Sequence, residues 1–110
     1  MSELLSKLAK VLENRKDSDP SSSYVASLYT QGTESIIKKI GEEATEVVIA
    51  AMDDDRRAVV HEVADLWFHS IILLSHMDLS PDDVVRELEG RFGLSGIEKK
   101  KPDAINSTHP

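Results

Sequence analysis

From Ala58 to Leu74 the chain is almost continuously apolar, with Val59, Val60, Val63, Ala64, Leu66, Trp67, Phe68, Ile71, Ile72, Leu73 and Leu74, yet Glu62 and Asp65 sit inside this run. So wide an apolar surface predicts a helix from Arg56 to about His76 that is covered on several sides. Acids are seldom buried without a partner, because leaving water costs a carboxylate several kcal/mol. The rest of the chain must therefore supply both cover and a counter-charge for Glu62 and Asp65.

The cover comes from further helices. Leu4, Leu5, Leu8, Val11 and Leu12 recur at spacings of three and four, the period of an amphipathic helix over 2–16. The stretch Asp17 to Ser23 breaks it and supplies caps, after which Tyr24 to Tyr29 predicts a short helix ending at Gly32. Thr33 is the expected N-cap of a long helix, with Glu34 near its positive end. Ile37, Ile40, Ala44, Val47, Val48 and Ala51 mark its apolar stripe. Asp53, Asp54 and Asp55 form a polar turn that also caps the next helix. Ser80 and Pro81 restart the chain in a last helix, which Val84, Val85, Leu88 and Phe92 carry to Gly93. The expected fold is all-α, a bundle of four to five helices.

With 110 residues and no internal repeat, the chain fits one domain, 1–98, followed by a polar tail, 99–110. A core of that size gives modest stability, which makes oligomerisation an expectation. The absence of cysteine excludes disulfides, thiolate metal sites and a cysteine nucleophile, so any metal must bind oxygen or imidazole. A net charge of −7 has the wrong sign for a nucleic-acid binder that neutralises phosphates. The apolar runs are read as shorter than the roughly 20 residues of a membrane span, and the N-terminus lacks a signal-peptide layout. The expected location is cytoplasmic, with no nucleic acid and no membrane as partners.

The chemistry lies in the acids. Glu42, Glu43 and Glu46 fall on the long helix, and Glu62 and Asp65 on the apolar one, so each helix has a pair spaced i, i+3 on one face. In the long helix alone this is also the pattern of an ordinary solvated stripe. The short Asp53 to Asp55 connection predicts an antiparallel helix pair, which brings the acids face to face. Two carboxylates about 6 Å apart repel by about 3 kcal/mol at an effective dielectric near 20, so several of them need positive compensation. Mg²⁺, which prefers carboxylate oxygen and completes its shell with water and phosphate, matches that demand. Lys38 and Lys39, one turn earlier, and Arg56 and Arg57 are candidates to meet phosphate oxygens, or simply to form surface ion pairs. His69 shares the face of Glu62 and Asp65; it either orients a carboxylate, touches substrate, or is a hydrogen-bonded core histidine. His61 and His76 show no comparable register, and Trp67, Phe68 and Met52 read as packing.

Glu42-Glu43-x-x-Glu46 followed by Glu62-x-x-Asp65 resembles the all-α nucleoside triphosphate pyrophosphohydrolases, the superfamily that includes MazG and the dimeric dUTPases. Within it, Ser23-Tyr24, Leu28, Gly32, Ile36 to Glu43, Ala64-Asp65-Leu66, His69 and the segment Arg91 to Glu98 are similar to the phosphoribosyl-ATP pyrophosphatases of histidine biosynthesis. The chain departs from that pattern in Lys99 to Pro102 and in Trp67-Phe68, neither of which touches the acids. The resemblance implies a MazG-like bundle completed by homodimerisation, with phosphoribosyl-ATP as substrate. It implies Glu43, Glu46, Glu62 and Asp65 as Mg²⁺ ligands and Glu42 as a further ligand or water-orienting base. Lys38, Lys39, His69 and Arg91 are then the substrate-binding residues. Two rival readings remain at this point: a pyrophosphohydrolase of free (d)NTPs in the same superfamily, and a non-catalytic helical dimerisation module.

Overall fold

The computed structural model describes residues 2–93, so the expected C-terminal tail and the segment Leu94 to Glu98 lie outside the described residues. Among the described residues five α-helices follow one another: α1 (Ser2–Asn14), α2 (Tyr24–Gln31), α3 (Thr33–Met52), α4 (Arg56–His76) and α5 (Pro81–Phe92), with a 3₁₀ turn at Arg15–Asp17. No strand occurs among the described residues, and the fold is all-α.

The boundaries follow local chemistry. The Ser23 side chain accepts from the Ala26 N–H and starts α2, and Asp55 does the same for Ala58 at the start of α4. At α5 the Asp83 carboxylate accepts from the Ser80 N–H, 2.9 Å away, with Pro81 in the first turn. The expected Thr33 cap is replaced. Thr33 is already helical, and Gly32, at φ 97° and ψ −173°, forms the joint. Its N–H donates to Leu28 O and its carbonyl accepts from Ile36 N–H, so one glycine ends α2 and begins α3 without a loop. Asp54 (φ 55°) and Asp78 (φ 61°) take the left-handed positions that close α3 and α4.

α3 and α4 form an αα-hairpin across Asp53 to Asp55, the most extensive helix contact among the described residues; α2 packs on α3, and α1 bridges α4 and α5. The core is Leu12, Val25, Leu28, Ile36, Ile71 and Ile72, flanked by Leu5, Leu8, Ile40 and Phe68. Burying such side chains contributes about 1.5–3 kcal/mol each.

The stripe that α3 turns inward differs from the expected one. Ile37, Ala44, Val48 and Ala51 face solvent, whereas Ile36, Ile40, Glu43, Val47 and Ala50 face the seam. Those inward positions are spaced four, three, four and three, a heptad-like run in which Glu43 occupies a core position. α3 therefore has two apolar faces, and only one is covered within a single chain. α4 repeats the arrangement with Val60, Ala64 and Trp67 exposed in one row. At 21 residues, with a mean hydropathy of 1.3 in its best window, α4 does reach the length and composition of a membrane span, contrary to the sequence expectation. It is also the helix that delivers Ile71 and Ile72 to the core.

Candidate metal centre

The heptad run on α3 and the face Glu62, Asp65, His69, Ile72 of α4 meet along the hairpin seam. At its lower end the seam is dry, with Ile72 fully buried; toward the Asp53 to Asp55 turn it becomes acidic. Glu43 is only 9% exposed, and its Oε1 is buried without a hydrogen-bond donor. Its Oε2 lies 3.6 Å from Lys39 Nζ, which is also 3.4 Å from Glu42 Oε1. Loss of solvation first, then the neighbouring Glu43 carboxylate and repulsion from Glu46, push the Glu62 carboxyl above its usual range, against an opposing pull from His61. Two ionised carboxylates are both acceptors, so the Glu43 oxygen stays orphaned until a proton or a cation arrives.

On α4, ligand atoms of His61, Glu62 and Asp65 all lie within 4.8 Å of one another. His61, set aside from its sequence register, reaches Asp65 Oδ2 at 3.6 Å from a ring that is mostly exposed. The i, i+4 step to Asp65 was the signal that could have found it. Glu62 and Asp65 are half-exposed in the single chain rather than buried, because the Val60, Ala64, Trp67 row beside them has no cover. Glu42 and Glu46 are exposed.

Partial burial disfavours the Lys39 charge, but Tyr24, Glu42 and Glu43 outweigh it and hold the ammonium above its ordinary range. Lys38, Arg56 and Arg57 are exposed. Arg91 lies on α5, bound to Glu87 at 2.9 Å, and α5 packs chiefly on α1, so the chain alone does not bring Arg91 to the acids. His69 is 5% exposed with both ring nitrogens engaged: Nδ1 lies 2.8 Å from the Asp65 carbonyl and Nε2 2.8 Å from the Tyr24 hydroxyl.

A helical hairpin with acids on both sides of its seam, one of them buried and unsatisfied, is an all-α arrangement whose donor set suits an oxygen-preferring cation. The phosphoribosyl-ATP pyrophosphohydrolase family model matches residues 5–92. The chain is 56% identical to the phosphoribosyl-ATP pyrophosphatase of Methylococcus capsulatus, covering 89% of this chain and 93% of that one. It is 55% identical to that of Ralstonia pickettii (91% and 90% covered) and 52% identical to that of Aromatoleum aromaticum (94% and 96% covered). The chain belongs to the phosphoribosyl-ATP pyrophosphohydrolase family.

Proposed function

We propose that this chain hydrolyses phosphoribosyl-ATP between its α and β phosphorus atoms, giving phosphoribosyl-AMP and pyrophosphate in histidine biosynthesis. The observation that carries this reading is the buried Glu43 oxygen without a donor, next to Glu62, which itself groups with His61 and Asp65, in a chain of this family. Such an oxygen costs about 1–3 kcal/mol when left bare and fits a hard cation.

Glu43, Glu46, Glu62 and Asp65 would hold Mg²⁺, which when bound neutralises the phosphate chain and lowers the pKa of the attacking water. The residues themselves do the positioning. Glu43 sits buried at a core position of α3, whereas Glu46 stands exposed one turn further on. Glu42, exposed beside Lys39, serves as a further ligand or as the base that orients water. Lys39 and Lys38 present ammonium donors to phosphate oxygens.

The outward rows Ile37, Gly41, Ala44, Val48, Met52 on α3 and Val60, Ala64, Trp67 on α4 support a homodimer that covers the acids' open flank. A dimer also accounts for α4's apolar girth without a membrane, in keeping with a cytoplasmic enzyme of a single domain, 1–98. The test is pyrophosphate release from phosphoribosyl-ATP, ATP, dCTP and dUTP, with and without Mg²⁺. Magnesium-dependent release from phosphoribosyl-ATP alone is the expected result. Release from the free nucleotides reassigns the substrate, and silence with all of them removes the enzymatic reading.

A further inference from the structure

Two histidines of α4 stand near the acids, and they differ in what their ring nitrogens are doing. His69 is buried, with Nδ1 2.8 Å from the Asp65 carbonyl and Nε2 2.8 Å from the Tyr24 hydroxyl, so it has no nitrogen left for a ligand. His61 lies one turn before Asp65 with its side chain 71% exposed, and its Nε2 is 3.6 Å from Asp65 Oδ2, too long for a hydrogen bond. Donor atoms of His61, Glu62 and Asp65 all fall within 4.8 Å of one another. Two donors about 2.1 Å from a shared ion stand at most about 4.2 Å apart, so small turns of the exposed imidazole close the set. A step of i, i+4 on one helix face is also the spacing by which paired histidines of a helix share one zinc ion.

The facing helix gives an independent sign that a cation belongs here. Glu43 and Asp65 are equally distant in sequence from Asp54, at the middle of the hairpin turn, so the antiparallel pairing sets them at one level. Glu43 belongs to the inward run of α3, is 9% exposed, and has its Oε1 buried without a donor. Carboxylates alone suit Mg²⁺ or Mn²⁺, but an imidazole in the set changes what it prefers. Nitrogen favours the later first-row ions, whereas Mg²⁺ gains little from it. Resting on the reading of the acids as a cation centre, we propose that His61 is a nitrogen ligand of that centre, joining Glu43, Glu62 and Asp65 and tilting its choice toward Co²⁺ and Zn²⁺ over Mg²⁺.

The test needs no turnover. Chelator-stripped wild type and His61→Asn are titrated with Co²⁺, Mn²⁺ and Mg²⁺ by calorimetry, without substrate. Expected is a loss of about tenfold or more in Co²⁺ affinity for His61→Asn, with Mg²⁺ and Mn²⁺ affinities within about twofold of wild type. His61→Gln should behave the same way, and both metal-free variants should melt with the wild type, because the position is exposed. Proton NMR of the Co²⁺-loaded wild type should show a strongly shifted, exchangeable imidazole N–H that both variants lack. Unchanged Co²⁺ affinity in the variants, a parallel loss of all three ions, or a wild type without that N–H signal overturns the proposal. A wild type that binds none of the ions overturns it together with the cation centre on which it rests. If the His61-dependent Co²⁺ preference is found in a protein that releases no pyrophosphate from any nucleotide, the ligand stands and only the function falls.

Discussion

Lys39 Nζ lies 3.6 Å from Glu43 Oε2, one helical turn away on α3, while the other oxygen of the same carboxylate is buried with no donor at all. The lysine neutralises only the half of Glu43 that faces out. The inward half is a standing deficit of charge compensation at a core position of the fold. Replacing it by an amide should remove that deficit, since the glutamine nitrogen can donate to Glu62. Glu43→Gln is therefore expected to stabilise the metal-free protein by about 1 kcal/mol, or about 4–8 °C in melting temperature, while lowering turnover by about a hundredfold or more. Thermal melts in a chelator together with initial rates check both halves. A variant that melts lower and still turns over contradicts the account.

Gly32 joins α2 to α3 at a backbone angle that L side chains rarely adopt, although a Cβ there would meet nothing within 4 Å. The cost of Gly32→Ala is thus backbone strain alone, about 1–3 kcal/mol. Chemical denaturation should show a lower midpoint with an unchanged slope.

At the far end of the seam, the Ser75 hydroxyl donates to Glu13, and Lys16 pairs with Glu13 at 3.2 Å while its ammonium donates to the Ser75 carbonyl. The Ser75 bond first, then Lys16, holds the Glu13 carboxyl below its usual range. A depressed carboxylate contributes stability that is present above the unfolded value near 4.5 and is lost as pH falls through the lower folded value. Solvent screens this 56%-exposed side chain, so the contribution is about 0.5 kcal/mol. Glu13→Gln should lower the melting temperature by a few degrees at pH 7 and match the wild type near pH 3.

Trp67 and Val60 face outward on α4 at 48% and 70% exposure, in the row that a second chain would cover. Trp67→Glu should convert a homodimer to monomer at micromolar concentration, read by light scattering, and abolish activity if the flank of the acids is built by the partner. A wild type that scatters only as monomer would refute the dimer.

Much of this was legible in the sequence, and the exceptions have physical causes. Ser23, Asp55 and Ser80-Pro81 mark helix starts because capping is local chemistry. The all-α fold and the acidic hairpin followed from spacing. The inward face of α3 did not, because hydrophobicity assigns a glutamate to solvent and so hides Glu43 within the true core register, while the apolar outward row takes its place. Gly32 was read as a stop when it is a joint, since nothing in a sequence announces that two helices share one residue. The half-exposure of Glu62 and Asp65 goes with the uncovered row of Val60, Ala64 and Trp67 beside them, which spacing alone does not reveal. The step of four from Asp65 to His69 is legible in the sequence, but the commitment of His69 to Tyr24 depends on how α2 docks, a long-range contact that no spacing encodes.

The most direct test of the central claim is an anomalous-difference map from crystals soaked in Mn²⁺ as a magnesium substitute. A peak bounded by Glu43, Glu62 and Asp65, with Glu43 Oε1 turned to it, is the predicted result. A fully active protein whose metal sits elsewhere, with that oxygen still bare, would contradict the account.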